Sequence, residues 1–145
     1  MLNKKIRIAI IGAGWFGCHI GHKLIEKKFK VQIFEKEKDI FQNASGNNTN
    51  RLHLGFHYPR SFQTRKMSFE GYKQFIKEYP SLSKPLKNNI YVIAKSKLNK
   101  TKSNLYEKSM FRSNLSFSKL DPKKTDLINI KKTFKTSERA INHDK

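Results

Sequence analysis

A single cysteine, Cys18, stands in a chain of 145 residues, which excludes an internal disulfide and a cysteine-based zinc site, and no metal is expected. This usage fits a reducing compartment, so the cytoplasm is the expected location. Long hydrophobic runs are missing too: nothing approaches the roughly 18 apolar residues of a membrane span. Residues 1–11 superficially resemble a basic head and apolar stretch, but Arg7 interrupts them, Gly12 breaks them, and no small-residue cleavage site follows. Acidic residues are few, 11 against 31 Lys and Arg, for a net charge of +20. Such an excess usually points to a polyanionic partner. Here the cations are dispersed through a background rich in Lys, Asn, Ile, Ser and Phe, with no run of five like charges. The excess therefore reads as a compositional bias, and no specific nucleic-acid partner is expected.

What is present is organised most clearly at the start. Residues 6–11, IRIAII, form a short β-branched apolar run that stops at Gly12, the mark of a buried parallel strand. From Gly14 to Lys28 the pattern is helical, with Phe16, Ile20, Leu24 and Ile25 on one face and Glu26, Lys27 and Lys28 in an exposed last turn. Residues 30–35, KVQIFE, read as a second strand ending at Glu35, which completes a βαβ unit.

Gly12-Ala13-Gly14-Trp15-Phe16-Gly17 lies between that strand and that helix, where a dinucleotide-binding fingerprint belongs. Gly12 permits the tight turn, Gly14 lets backbone approach a pyrophosphate, and Gly17 lets the helix lie close to the strand. The amides at the helix start then face the phosphates, with the helix dipole favouring negative charge. Glu35 ends the second strand, where a carboxylate accepts hydrogen bonds from both hydroxyls of an adenosine ribose and repels a 2′-phosphate, disfavouring NADP. Gly12, Ala13, Gly14, Trp15, Phe16, Gly17, Glu35 and Lys36 are the expected cofactor contacts of this unit. Cys18 reads as a small packed residue, and His19 and His22 read as helix surface.

The fingerprint does not separate FAD from NAD, since both contain ADP. The residues after Glu35 do. An NAD domain continues into another helix and strand of the same sheet, whereas here Gln42–Asn50 is a small, polar loop followed by Arg51, His53, His57, Tyr58 and Arg60 among aromatics. IAIIGAGWFGCHIGHKL, VQIFEKE and ASGNNTNRLHLGFHYPRS together resemble the N-terminal part of FAD-dependent oxidoreductases of the D-amino-acid oxidase type, which include glycine oxidase and L-2-hydroxyglutarate dehydrogenase relatives. The dehydrogenase-type pattern (S/T)-G-x-N-(S/T)-x-x-(I/L)-H-x-G-x-x-Y is matched by Ser45, Gly46, Asn48, Thr49, Leu52, His53, Gly55 and Tyr58. The resemblance covers about the first 80 to 95 residues. It implies that Ser45, Gly46, Asn48 and Thr49 contact FAD along its pyrophosphate and ribityl chain, and that the segment from Arg51 through Leu52 and His53 to His57 approaches the isoalloxazine. It also implies hydride transfer from a C–H bond beside an amine or hydroxyl to the flavin, on a small-molecule substrate. Arg51 or Arg60 would pair with a carboxylate or phosphate. Residue chemistry agrees: Asn, Ser and Thr bind phosphates and hydroxyls neutrally, and Gly55 lets backbone approach a flat ring. No catalytic residue is assigned.

Downstream, Ser61–Tyr79 reads as a helix capped by Ser61 or Thr64, with Met67, Tyr72, Phe75, Ile76 and Tyr79 inward. Pro80 and Pro85 bracket an expected linker, and residues 89–94, NIYVIA, are a strand. Residues 98–112 suggest a helix with Leu105, Met110 and Phe111 inward, and 115–120 and 127–130 suggest short strands. The expected fold is thus α/β: a Rossmann-like FAD-binding βαβ unit within residues 1–85, then the beginning of a second, incomplete α+β substrate domain over 86–145. The family's later FAD-completing segment has no counterpart here, so the chain reads as an N-terminal fragment of an FAD enzyme, with doubtful activity alone. The alternatives are an NAD-binding dehydrogenase domain, a non-enzymatic basic module binding nucleic acid through residues 95–102 and 123–135, and an inactive remnant. Against the basic module, no reading motif is present, and Phe56, Phe62, Phe69 and Phe75 suit a core better than a stacking platform.

Overall fold

The computed structural model describes residues 6–95 and 102–142, which form two compact units divided at Thr49/Asn50. In the first unit, β1 (Arg7–Ile11) and β2 (Lys30–Phe34) pair in parallel, Arg7 opposite Lys30 through Ile11 opposite Phe34. Helix α1 (Trp15–Glu26) connects them. The expected apolar stripe of that helix is not its packing face: Phe16, Ile20 and Ile25 are exposed. Gly21 is buried instead, and a Cβ there would stand 3.0 Å from Ile33 Cδ1 and 3.5 Å from Ile10 Cδ1. Gly17 lies one turn earlier on the same side. The absence of side chains, which hydrophobic periodicity does not register, brings this helix down onto its strands.

The second unit holds two antiparallel sheets. One orders β3 (Arg51–Leu52), β8 (Arg139–Ile141) and β4 (Ser83–Pro85), with β8 central. The other orders β5 (Asn89–Ala94), β7 (Ile130–Thr136) and β6 (Phe117–Leu120), with β7 central. Helix α2 (Phe62–Glu78) starts at Ser61, whose hydroxyl accepts from the Thr64 amide at 3.2 Å, and α3 (Lys102–Phe111) precedes β6. The core gathers Leu54, Phe56, Met110 and Leu115, with Phe69, Tyr72, Tyr91, Tyr106 and Phe117 against it.

Several expectations need correction. The segment between Pro80 and Pro85 contains an edge strand, β4, because its partner β8 lies far along the chain where local composition cannot reveal it. Pro85 is tolerated at a sheet edge, where no ladder donor is required. Met67, Leu105 and Phe111 are exposed: α2 turns Arg65, Phe69 and Tyr72 inward, and α3 turns in Tyr106 and Met110, one turn apart. Phe62 is also exposed, under the Arg65 guanidinium. The strand expected at 127–130 begins only at Ile130, because Asn129 takes a left-handed φ of 59° that ends the preceding turn. Part of the helix expected over 98–112 lies outside the described residues.

Arg65 is 4% exposed and acts as a strut. Its Nε donates to Ser113 Oγ at 2.7 Å, and its Nη1 donates to the carbonyls of Tyr58 and Pro59 at 2.8 and 3.0 Å. Gly55 has φ +117°, and a Cβ there would approach the Arg65 carbonyl oxygen to 3.1 Å. Its freedom is spent on close packing against α2, which ties residues 55–60 to that helix.

Candidate cofactor site

The first unit assembles its site almost wholly from backbone. Gly12 has φ +98°, and its amide continues the sheet by donating to the Phe34 carbonyl at 2.7 Å. A Cβ on Gly17 would fall 1.9 Å from the Gly12 carbonyl oxygen, so any side chain there must displace the turn itself. The helical ladder begins with the Cys18 amide donating to the Gly14 carbonyl at 3.0 Å. The amides of Phe16 and Gly17 precede that bond at the positive end of the helix, the arrangement that favours an anion.

Two side chains from elsewhere in the unit converge on this turn. Glu35 Oε2 accepts from the Ala13 amide at 2.6 Å, while Oε1 accepts from the amides of Lys36 and Glu37 at 2.8 and 3.1 Å. The Ala13 amide first, then that of Glu37, hold its carboxyl below the usual carboxylate range. The group stays ionised near neutrality, and its further lone pairs suit ribose hydroxyls. Ser45 Oγ accepts from the Trp15 amide at 2.9 Å, and a Cβ on Gly14 would meet that same oxygen at 3.2 Å. Because the hydroxyl accepts there, its own proton is left to donate to a phosphate oxygen.

The loop that delivers Ser45 is a compact turn. The amides of Gly46 and Asn47 both donate to the Asn43 carbonyl at 3.0 Å. A Cβ on Gly46 would lie 2.1 Å from the Phe41 carbonyl oxygen, and the Phe41 amide donates to the Ala13 carbonyl at 3.1 Å. Asn48 turns its amide onto the carbonyls of Ala44 and Ser45 at 3.1 and 2.8 Å, so it braces the loop. Lys36 and Thr49 are exposed. Of the expected contacts, Gly12, Ala13, Gly14, Trp15, Phe16, Gly17, Glu35, Lys36, Ser45 and Gly46 are thus brought to one turn and its neighbourhood.

Arg51, Leu52 and His53 belong to the second unit and meet a different environment. Leu52 pairs with Arg139 across β3 and β8. His53 faces a residue that sequence reasoning missed, Glu138, which is 1% exposed. Glu138 Oε1 accepts from the Leu54 amide at 2.8 Å, and Oε2 accepts from Tyr91 OH at 2.8 Å and Asn89 Nδ2 at 3.2 Å. His53 Nδ1 lies 3.6 Å from that second oxygen. Burial pushes the Glu138 carboxyl up, but the His53 imidazole, the Leu54 amide and the Tyr91 hydroxyl outweigh it and hold the carboxyl below its ordinary value. The available signal was a lone acid among the cations of residues 131–139.

The sequence model of the family described as FAD dependent oxidoreductase matches residues 7–125. The chain belongs to that family. The chain is 36% identical over 134 residues to a FAD-dependent monooxygenase of Fusarium mangiferae, a match covering 92% of this chain and 36% of the relative. It is 45% identical over 78 residues to a FAD-dependent monooxygenase of Aspergillus flavus, covering 54% and 18%. The mitochondrial L-2-hydroxyglutarate dehydrogenase of Caenorhabditis elegans is 34% identical over 80 residues, covering 51% and 18%. The chain therefore spans roughly a third or less of the length of these relatives. No solved structure matches. FAD is the family's cofactor and the fold that binds it is Rossmann-like; the parallel β1-α1-β2 unit, the space kept clear at Gly17 and the acceptor at Glu35 fit its ADP half.

Proposed function

We propose that residues 1–85 supply the FAD-binding portion, and 86–145 the start of a substrate domain, of an oxidoreductase acting on a C–H bond beside an amine or hydroxyl of a small molecule. The observation that carries the reading is the convergence of Ser45 Oγ on the Trp15 amide with Glu35 on the Ala13 amide. Three separate stretches of sequence meet at the start of α1, which supports a pyrophosphate held by donors there and a ribose held by the Glu35 acceptor. The names of the relatives support the oxidative chemistry, and they divide between monooxygenase and hydroxy-acid dehydrogenase.

In this reading the flavin supplies the redox chemistry, and the chain's own residues bind and orient it. The α1 amides and the Ser45 hydroxyl hold the pyrophosphate, and Glu35 holds the adenosine ribose. Gly46, Asn48 and Thr49 border the pyrophosphate and ribityl chain, and Arg51, Leu52 and His53 border the ring. The cytoplasm is the proposed location. No helix of the described residues is long and apolar enough to cross a membrane. The test is the spectrum of cofactor retained after FAD is added and the excess removed. The expected result is the pair of near-ultraviolet and visible bands of oxidised flavin. Retention of NAD with no flavin overturns the reading.

A further inference from the structure

His53 Nδ1 is buried and has no hydrogen-bond partner among the described residues, although the side chain as a whole is 25% exposed. The buried nitrogen faces inward, and the exposed part of the ring lies elsewhere on it. The group it faces is the Glu138 carboxylate, 3.6 Å away, already fixed by the Leu54 amide, Asn89 and Tyr91. On the other side the His57 ring meets His53 edge to face, with centroids 4.4 Å apart, and also meets the Tyr91 ring at 5.1 Å. A buried carboxylate opposite an orphaned imidazole nitrogen is how a histidine tautomer is set. The separation is slightly long for a hydrogen bond, and such contacts tighten when a ligand closes a site.

We propose that Glu138 is a positioning residue for His53: its carboxylate accepts a hydrogen bond from the Nδ1 proton, leaving Nε2 as the lone-pair nitrogen that accepts a proton or hydrogen bond from a ligand hydroxyl or amine. The ligand class rests on the proposed function; the tautomer does not. His57 belongs to the same site as a second imidazole. Burial, then the charge of His53, pushes its pKa down, so it too is kept as an acceptor. The other groups bearing on the pair are Arg51, which favours neutral His57, and the Tyr91 hydroxyl, which is committed to Glu138.

The test is nitrogen-15 NMR of the histidine rings in the full chain without flavin, at about pH 8, above the ordinary histidine range. The expected result is His53 as the Nδ1–H tautomer. Glu138→Gln is expected to reverse it. With the carbonyl oxygen of the introduced carboxamide held by the Leu54 amide, its NH2 occupies the former Oε2 position, and His53 Nδ1 must accept rather than donate. Glu138→Asp keeps the carboxylate and is expected to retain the wild-type tautomer. A wild-type His53 carrying its proton on Nε2, or a folded Glu138→Gln chain with an unchanged tautomer, overturns the proposal. If Glu138→Gln does not fold, the wild-type and Glu138→Asp spectra decide. A chain that retains no flavin but shows the Nδ1–H tautomer contradicts the FAD reading alone, and the opposite pair of results contradicts this proposal alone.

Discussion

The two units solve the problem of a polar site in opposite ways. In the first, the working groups are main-chain amides, and the sequence contributes chiefly by omitting side chains at Gly12, Gly14 and Gly17. In the second, polar groups are gathered on one buried side-chain carboxylate, Glu138, which accepts from the Leu54 amide and from two side chains of β5, Asn89 and Tyr91. A backbone site tolerates change in the chemistry of neighbouring residues but not in their volume. A buried side-chain hub tolerates neither. Substitution, pH and ligand should therefore act differently on the two.

The largest effect is expected from Glu138→Ala. It strands the Leu54 amide, removes the acceptor of the half-buried Tyr91 hydroxyl and leaves Asn89 Nδ2 with Thr136 alone; at about 1–3 kcal/mol per unpaired buried donor the total is on the order of 4 kcal/mol. Denaturant unfolding followed by hydrogen exchange in β5 and β7 measures it. A loss below about 1 kcal/mol would show that the hub is not what holds this unit.

Gly17→Val comes next. Its Cβ must displace the Gly12 carbonyl, an overpacking cost of about 3 kcal/mol placed on the turn proposed to face the phosphates. FAD affinity should fall roughly a hundredfold. Isothermal titration checks this, and unchanged affinity would remove the turn from the cofactor site.

Acid should distinguish the units as well. The folded-state pKa of His57 lies below its ordinary 6.5, so the stability of the second unit is full above that value and declines as pH falls below it. Glu138, also depressed, contributes stability that is present above 4.5 and is lost as pH falls through its lower folded value. Two successive losses are thus expected on acidification, the second smaller in Glu138→Gln, where Glu35 and Glu107 keep their own depressed carboxyls. Melting temperatures across the range test this; a single loss shared by both proteins would contradict it.

The smallest effect belongs to Ser45→Ala. One hydroxyl that accepts from Trp15 and donates onward is worth about 1 kcal/mol, or about fivefold in FAD affinity. A loss as large as that of Gly17→Val would mean that the loop, rather than the turn, dominates binding.

The same contrast explains what could be read from sequence. The turn was legible because its cause is local: Gly12, Gly14 and Gly17 lie within six residues, and Glu35 follows one helix and one strand later. The strand over residues 89–94 was legible for the same reason, as a continuous β-branched and aromatic run. Glu138 was not, because 84 residues separate it from the Leu54 amide it accepts, and nothing in its own neighbourhood marks it as buried. Nor was β4, whose three residues are a strand only because β8 lies beside them. The inward face of α1 was misassigned for a different reason. Glycine carries no hydrophobic signal, yet Gly17 and Gly21 make the contact.

One comparison of ligands tests the cofactor site most directly. If the first 49 residues hold the ADP half of the cofactor, the chain should bind FAD and release it to competing ADP, while FMN, which lacks the adenosine, binds far more weakly. Equal affinity for FMN and FAD, or FAD binding indifferent to excess ADP, would contradict it.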